Sequence, residues 1–448
     1  MTFCLEPVLA YTNKAFELLC REELSKPALD RLACDLPENI SDLFYPGFPD
    51  HRHIPPDRNY SHTRDSNPGQ EDEALLNCNY LDCSGGYGSY NPGQSSGRVI
   101  EFVQKQLNSH PLCNQVYSKL HATMLSKILN MITPADLNHI IITATGTEAV
   151  ENGLNLARIC TGRNTIISAA GSTHGSNLRL LNLNGKINHR QKGYSLNPNF
   201  HYVPYGDADI LTKIMQCAHN EGNDVAAVIL EPFQSETGAV IPGDDYLAQA
   251  SELCNYYSTQ LIIDETGIEM GRTGKIFAFE HFGITPDILC LGKALGGGIL
   301  PLGALITSDK PWALQTNTPA YNQSSLTTAP FSCAAAITAM KVLFDEGLIE
   351  RSDEKGNYIL PLLKRIACKY PVIKEIRGKG LLLGLEFKKE RYALALTENL
   401  LKNRIIITTA LNNRSAIKIE PPLTVSIEQI DHLLEILEKE IKRISYHQ

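Results

Sequence analysis

The sequence lacks the features of membrane and secreted proteins. No stretch reaches the run of about 18 apolar residues that a membrane-spanning helix needs. The first residues, Met1 to Lys14, lack the basic start and the long apolar segment of a signal peptide. We therefore expect a cytoplasmic protein that has no membrane partner.

Clustered metal ligands and an excess of positive charge are also missing. The twelve cysteines are scattered, and no two of them form a C-x-x-C pair. We expect reduced thiols and no bound metal, with Cys254 and Cys290 in the core because they stand in apolar runs. The net charge of −8 argues against nucleic acid as a partner, since a phosphate backbone attracts basic surfaces.

What the sequence does contain is a long alternation of strand and helix patterns, which indicates an α/β fold with a mostly parallel central sheet. The predicted strands include His139–Thr143, Thr165–Ser168, Val225–Leu230, Gln260–Asp264 and Ile288–Leu291. After about residue 330, long helices and short strands predict a smaller α+β C-terminal domain. We therefore divide the chain into an N-terminal arm and loop segment (1–79), a large domain (80–330) and a small domain (331–448).

One apolar strand ends in an unusual way. The run Ile288–Leu291 stops at Gly292, Lys293 follows, and three consecutive glycines come soon after. Such an ending would place Lys293 at the edge of a parallel sheet, among apolar neighbours. Loss of solvation there would favour the uncharged amine, a nucleophile that can form a Schiff base. The same stretch also fits a strand-end lysine beside a flexible loop.

Two further predicted strands end in acidic residues. Asp264 ends one strand, Glu231 follows another, and Glu236 stands in the loop after Glu231. The carboxyl ends of strands are where α/β sheets bind ligands. A buried aspartate needs a cationic partner, and the candidates for Asp264 are a protonated heterocyclic nitrogen and the nearby Arg272.

A strand-to-helix turn at Gly146 and Thr147 is suited to binding an anion. The backbone N–H groups and the positive end of a helix attract phosphate, and glycine permits close approach. The simpler alternative is a capped helix, with Thr145 or Thr147 as the N-cap and Glu148 in the first turn.

Taken together, these segments resemble the class III aminotransferases, which are pyridoxal-phosphate enzymes of fold type I. The family includes the ornithine, acetylornithine, putrescine and 4-aminobutyrate transaminases. The resemblance runs from about Tyr80 to the C-terminus and rests on the segments Thr145-Gly-Thr-Glu-Ala, Glu231-Pro-Phe-Gln-Ser-Glu, Asp264-Glu, Gly271-Arg-Thr-Gly, Gly292-Lys-Ala-Leu-Gly-Gly-Gly-Ile-Leu-Pro-Leu-Gly, Arg377-Gly-Lys-Gly-Leu and Pro421-Pro-Leu-Thr.

The resemblance implies a role for each part of the site. Lys293 would hold pyridoxal 5′-phosphate covalently and then carry a proton, and Asp264 would pair with the pyridine nitrogen. The other implied cofactor contacts are Gly146, Thr147, His174, Glu231 and, across a homodimer interface, Ser325. The implied substrate contacts are Tyr87, Glu236 and Lys418.

Several positions depart from the family pattern. Thr173 stands where an aromatic residue stacks on the pyridine ring, and the adjacent His174 would cover that ring only after a backbone shift. Gly267 replaces the glutamine that contacts the phenolic oxygen of the cofactor. Lys418 replaces an arginine that binds a substrate carboxylate, which keeps the charge without the bidentate fork. Gln94 replaces a histidine.

The resemblance therefore predicts transamination of a terminal amine, such as that of ornithine or putrescine, with an oxo acid such as 2-oxoglutarate as acceptor. The working unit would be a homodimer with active sites at the subunit interface. Two alternatives stay open at this point. One is a different pyridoxal-phosphate reaction, such as decarboxylation, and the other is a non-catalytic homologue that acts through binding.

Overall fold

The computed structural model describes residues 80–109, 120–185, 199–315 and 328–446, together with Glu6, Leu9, Ala10 and Asn13. The strands in chain order are β1 (Leu81–Asp82), β2 (His139–Thr143), β3 (Thr165–Ala169), β4 (Phe200–Val203), β5 (Val225–Leu230), β6 (Gln260–Asp264), β7 (Ile288–Leu291), β8 (Gly303–Thr307), β9 (Ile373–Lys379), β10 (Leu382–Phe387), β11 (Ile405–Ile406), β12 (Thr408–Thr409) and β13 (Ala416–Ile419).

The α-helices of the described residues alternate with these strands in the first part of the chain and become longer towards its end. They are α1 (Gly97–Ser109), α2 (Leu120–Ile132), α3 (Gly146–Thr161), α4 (Leu178–Leu181), α5 (Ala208–Asn220), α6 (Tyr246–Tyr256), α7 (Asp309–Gln315), α8 (Pro330–Asp345), α9 (Leu348–Lys369), α10 (Glu390–Lys402) and α11 (Ile427–Tyr446).

A seven-stranded sheet forms the centre of the molecule, in the order β2-β8-β7-β6-β5-β3-β4. Neighbouring strands run parallel from β7 to β4. The exception is β8, which lies antiparallel to both β2 and β7. The mostly parallel sheet predicted from the sequence is therefore confirmed.

The strands read as continuous apolar runs because both faces of the sheet are covered. In β6, Ile262 packs into a core cluster that contains Leu154 of α3. The next residue, Ile263, points to the opposite face and joins a second cluster that contains Leu247 of α6. Successive side chains of a strand alternate between faces, so a sheet with helices on both sides needs apolar residues at every position.

The C-terminal part of the chain forms a second, smaller sheet. Its four strands follow the order β12-β13-β10-β9, and all neighbours in it are antiparallel. The helices α9, α10 and α11 pack with this sheet or with one another. The first described strand also reaches this region, because Leu81 of β1 pairs in parallel with Ile405 of β11. The domain boundary at residue 330 stays a prediction.

The fold brings the ends of several strands to one edge. β5, β6 and β7 run parallel, so Glu231, Asp264 and Lys293, which end or follow them, lie at the same carboxyl edge. The antiparallel β8 joins β7 to β2, and the chain after β2 enters α3 at Gly146. The central sheet thus positions four chain segments around one site.

Three predictions from the sequence can be compared with the described residues: they concern membrane-spanning helices, metal ligands and two cysteines of the core. Within them, no helix is long and apolar enough to cross a membrane. Among the same residues, no group of three or more His, Cys, Asp and Glu side chains could hold a metal ion. Cys254 and Cys290 are buried, as predicted.

Candidate active site

A cavity of about 720 Å³ opens at the carboxyl edge of the central sheet. Its lining comes from segments far apart in the chain and includes Thr145, Gly146, Thr147, Thr173, His174, Glu231, Glu236, Asp264, Gly267, Lys293 and Asn412. The structure therefore brings together most of the site residues that the sequence predicted. Of the remaining ones, Lys418 pairs with Glu236, and the ring of Tyr87 lies near the Lys418 amine. Ser325 lies outside the described residues.

The start of α3 is both capped and open to the cavity. Thr145 Oγ1 accepts a hydrogen bond from the Glu148 N–H at 3.2 Å, and Glu148 Oε2 accepts one from the Ala144 N–H at 2.9 Å. The capped-helix alternative is therefore confirmed. A Cβ atom on Gly146 would lie 2.7 Å from Thr266 Cγ2, so this close approach requires glycine. Phosphate binding by Gly146 and its neighbour stays a prediction.

Asp264 is held on both carboxylate oxygens. A hydrogen bond of 2.7 Å joins Oδ2 to Nδ1 of His174, and both side chains are almost completely buried. Oδ1 accepts hydrogen bonds from the Thr266 N–H at 3.0 Å and from its hydroxyl at 2.7 Å. A carboxylate fixed in this way keeps one orientation towards the cavity that it lines.

Arg272 does not pair with Asp264, so the arginine alternative was wrong. Its guanidinium donates to Asn91 Oδ1 at 2.7 Å and to the backbone carbonyls of Leu381 and Pro421. Burial lowers the pKa of Arg272 to about 10, although Glu420 acts in the opposite direction. Arg272 thus connects separate loops by hydrogen bonds, and His174 is the side chain that pairs with Asp264.

His174 lies in the wall of the cavity with both ring nitrogens engaged. Nε2 lies 3.2 Å from Ser168 Oγ, which in turn lies 2.9 Å from Ser172 Oγ. The backbone N–H of His174 donates to Asn184 Oδ1 at 2.7 Å. In this position the imidazole supports Asp264, and it would have to leave its partners to lie over a cofactor ring. Its direct contact with a cofactor stays a prediction.

Lys293 lines the same cavity. Its side chain is exposed, so the predicted enclosure among apolar neighbours was wrong. The reason is that β7 ends at Leu291 and the chain then turns, with a φ of 22° at Lys293 itself. Positive φ is uncommon for a residue other than glycine, and such strain concentrates at functional sites.

Gly267 leaves space beside the amine of Lys293. A Cβ atom on Gly267 would lie 2.9 Å from Lys293 Nζ, and φ at Gly267 is 137°. The backbone of Gly88 also packs closely here, because a Cβ on Gly88 would lie 2.2 Å from the Gly267 carbonyl oxygen. The absence of a side chain at Gly267 therefore determines where the lysine amine can lie.

Glu231 is a buried carboxyl group next to Asp264. Burial and the negative charge of Asp264 raise the pKa of Glu231 well above its usual range. The Thr173 N–H, which donates to Oε2 at 3.1 Å, and the charge of Lys293 act in the opposite direction. Glu231 therefore retains its proton to a higher pH than an ordinary glutamate.

The far end of the site contains a buried ion-pair cluster. Lys418 Nζ lies 2.7 Å from Glu236 Oε1 and 3.5 Å from Glu420 Oε2, and only 1% of the Lys418 side chain is exposed. Burial acts to lower the pKa of Lys418, but the two carboxylates outweigh it and raise the pKa. Lys418 Nζ also lies 5.4 Å from the centroid of the Tyr87 ring.

Glu236 is the member of this cluster that lines the cavity. Burial acts to raise its pKa, but the charges of Lys418 and Lys293 and the hydrogen bond from Lys418 leave the pKa lowered. The Leu411 N–H donates to Oε2 at 3.3 Å. Glu236 therefore presents a negative charge to the cavity while Lys418 stays behind it.

Asn412 holds Thr173 and was not predicted from the sequence. Its Nδ2 donates to Thr173 Oγ1 at 2.8 Å and to the Gly171 carbonyl at 2.8 Å. The backbone N–H of Asn412 donates to the Glu236 carbonyl at 2.7 Å. The position that is aromatic in the family pattern is thus occupied by a threonine fixed from the C-terminal part of the chain.

The model of the family described as aminotransferase class-III matches residues 76–441. The chain is a class-III aminotransferase. It is 38% identical over 370 residues to a putrescine aminotransferase from Pectobacterium atrosepticum, which covers 82% of this chain and 79% of that protein.

Solved structures agree with the fold of this class-III aminotransferase. The ornithine aminotransferase from Toxoplasma gondii superposes with a TM-score of 0.77 at 25% identity, over 82% of this chain and 87% of that one. A transaminase from the marine bacterium Virgibacillus gives a TM-score of 0.78 over 82% and 89%, and at 23% identity it supports the fold alone. The fold predicted from the sequence, fold type I, is therefore confirmed.

Sequence reasoning missed residues that complete the site of this class-III aminotransferase. Glu420 stands two positions after Lys418, a spacing that puts both side chains on the same face of an extended segment and could have revealed it. Ser168 is close in the chain to its partners Ser172 and His174, but a buried serine in an apolar strand carries no comparable signal. Asn412 carries none either, because its partners Gly171 and Thr173 are far away in the chain. The roles of all these side chains towards a cofactor or substrate stay predictions.

Proposed function

We propose that this aminotransferase transfers the terminal amino group of an amino acid or diamine, such as ornithine or putrescine, to an oxo acid such as 2-oxoglutarate, with pyridoxal 5′-phosphate as cofactor. The observation that carries the proposal is the exposed amine of Lys293 in a cavity that Asp264 and the start of α3 also line. The similarity to a putrescine aminotransferase supports the choice of a terminal amine.

The residues present fit pyridoxal 5′-phosphate. Gly146 at the start of α3 makes a cradle that a Cβ atom would fill, and the positive end of that helix suits a phosphate. Asp264 offers a fixed carboxylate for a protonated ring nitrogen, with His174 behind it. Lys293 is the amine for covalent attachment, and Gly267 leaves the space in which that amine lies.

When bound, the cofactor supplies an electron sink that stabilises negative charge at the carbon bearing the amine. Lys293 would hold the cofactor, and its amine would move a proton at that carbon. Asp264 would keep the ring nitrogen protonated through its negative charge. His174 orients this carboxylate through the hydrogen bond of 2.7 Å.

The Glu236 and Lys418 pair lets one pocket accept two kinds of substrate. With Glu236 in place, the pocket presents a carboxylate that favours the amine-bearing chain of the donor. The oxo acid acceptor requires a cation instead, and Lys418 becomes available only when Glu236 moves away from it. Lys418 Nζ lies 5.4 Å from the centroid of the Tyr87 ring, and Tyr87 would border the substrate pocket, as the family pattern implies.

The assembly and location of the protein belong to the same proposal. We propose a homodimer in which Ser325 reaches the phosphate site of the other subunit, as the family pattern implies. The cytoplasmic location stays a prediction from the sequence.

A visible absorbance spectrum of the purified protein, followed by a panel of amines, tests the proposal. We expect a visible band that Lys293→Ala removes, that the exposed-lysine control Lys310→Ala retains, and that a terminal diamine bleaches until an oxo acid restores it. A protein that cannot be reconstituted with the cofactor would contradict the proposal. Release of carbon dioxide with the amine would instead support decarboxylation.

A further inference from the structure

Glu269 is a completely buried glutamate for which the proposed reaction has no role. It lies in the loop after β6, and its backbone carbonyl and that of Met270 both accept hydrogen bonds from Asn91 Nδ2, at 2.8 and 2.9 Å. Its main chain is therefore anchored from outside the loop. A buried carboxylate is costly, so its partners are informative.

The carboxylate of Glu269 connects the two loops on either side of Lys293. Oε2 accepts a hydrogen bond from the Gly267 N–H at 2.6 Å, and Oε1 accepts one from the Gly292 N–H at 3.2 Å. Gly292 directly precedes Lys293, and Gly267 lies beside the lysine amine. Each oxygen of one side chain thus fixes a different border of the space that the lysine occupies.

The backbone at this point needs such support. Lys293 has a φ of 22°, and a Cβ on Gly292 would lie 2.9 Å from Gly146 Cα. Unusual backbone conformations persist only where surrounding contacts impose them. The hydrogen bond from the Gly292 N–H to the Glu269 carboxylate holds the backbone one residue before Lys293, the residue with the positive φ.

We propose that Glu269 is a positioning residue for Lys293, whose carboxylate holds the lysine amine in place by clamping the N–H groups of Gly267 and Gly292. The proposal deepens the proposed function and rests on it only for the part that concerns the cofactor. The charge attraction between the Glu269 carboxylate and Lys293 helps the two hydrogen bonds to hold the lysine amine in place.

The raised pKa of Glu269 also supports a functional role, because a buried carboxylate at this position reduces the stability of the protein. Burial raises the pKa of Glu269 to about 7, although its hydrogen bonds and Lys293 act to lower it. Within the part of the chain that the structure describes, Glu265 and Arg272 also interact with its charge. Because the folded pKa lies above the ordinary value, the charged carboxylate reduces stability at alkaline pH. A protein with a neutral side chain at position 269 would be more stable at alkaline pH.

The test compares Glu269→Gln with Glu265→Gln. Glutamine keeps the shape but has one acceptor oxygen for two N–H groups and no negative charge. Glu265 is a matched control, because it is also completely buried, with a pKa raised to about 8, and it accepts two backbone N–H bonds, from Ala278 and Phe279.

Three measurements decide the outcome. In the cofactor-free protein, acetic anhydride should label Lys293 of Glu269→Gln about threefold faster or more, because an attractive carboxylate is gone. The dissociation constant for pyridoxal 5′-phosphate should rise about tenfold or more, because a misplaced amine reacts less well. The thermal midpoint at pH 8 should stay the same or rise. Glu265→Gln should leave labelling and cofactor affinity within about twofold of the unmodified protein.

Each contrary result has a distinct meaning. Unchanged labelling of Lys293 in Glu269→Gln would overturn the inference, and a lower thermal midpoint with unchanged labelling would assign Glu269 a purely structural role. Faster labelling in a protein that binds no pyridoxal 5′-phosphate would uphold the inference about Lys293 and contradict the proposed function.

Discussion

Replacing Lys418 by methionine should destabilise the protein strongly. Lys418 is 1% exposed and lies 2.7 Å from Glu236 and 3.5 Å from Glu420, so its loss leaves two buried carboxylates without a cation. Breaking a buried ion pair costs about 3–5 kcal/mol, whereas an exposed pair contributes about 0–1 kcal/mol. We expect a loss of about 3–5 kcal/mol in the free energy of unfolding at pH 7.5, measured by denaturant titration.

The pH dependence of this loss follows from the two pKa shifts. The pKa of Lys418 is raised, so its contribution is present below the unfolded value of 10.5 and is lost only as the pH rises through the folded value. The pKa of Glu236 is lowered, so its contribution is present above the unfolded value of 4.5 and is lost as the pH falls through the folded value. The difference between Lys418→Met and the unmodified protein should therefore stay constant near neutrality and shrink in acid.

Lys374 provides a matched control. Its amine also lies 2.7 Å from a carboxylate, that of Glu386, but 58% of its side chain is exposed. Lys374→Met should cost less than about 1 kcal/mol. The double variant Lys418→Met with Glu236→Gln should recover part of the loss, because one buried charge is removed. A cost below about 1 kcal/mol for Lys418→Met, or the same cost at pH 4 as at pH 7.5, would refute the reasoning.

Two further predictions concern the cavity. Gly267→Ala places a methyl group 2.9 Å from Lys293 Nζ at a φ of 137°, and we expect a loss of about 1–3 kcal/mol in unfolding free energy with weaker cofactor binding. Gly97→Ala is the control, because a Cβ there meets nothing within 4 Å. Equal cofactor affinity in the two variants would contradict the steric argument. Lys418→Ala should raise KM for 2-oxoglutarate more than it changes kcat, since steady-state kinetics separate binding from the chemical step; an unchanged KM would remove Lys418 from the carboxylate site.

Much of the site could be predicted because its signals are local. A strand buried on both faces is a continuous apolar run, so its end is visible in the sequence, and so is the residue that follows it. Asp264, Glu231 and Lys293 were recognisable on that basis. Parallel strands bring such ends to one edge, and the cavity that these residues line lies there.

The partners of these residues were not predictable in the same way. Arg272 is only eight positions from Asp264 in the sequence, yet the side chain that reaches Asp264 is His174, from the loop after β3. The separation of the two in the chain is 90 residues. Contacts of this kind depend on the order of strands in the sheet, which a local pattern does not contain.

The sequence alone therefore determined the fold family, the strand ends and the identity of the candidate lysine, because each depends on periodicity or on a contiguous motif. Only the tertiary structure decided that Lys293 is exposed, that Lys418 lies buried between Glu236 and Glu420, and that Glu269 clamps the borders of the lysine site. Burial and charge pairing are properties of side chains brought together across the fold, and they are set by packing between distant segments.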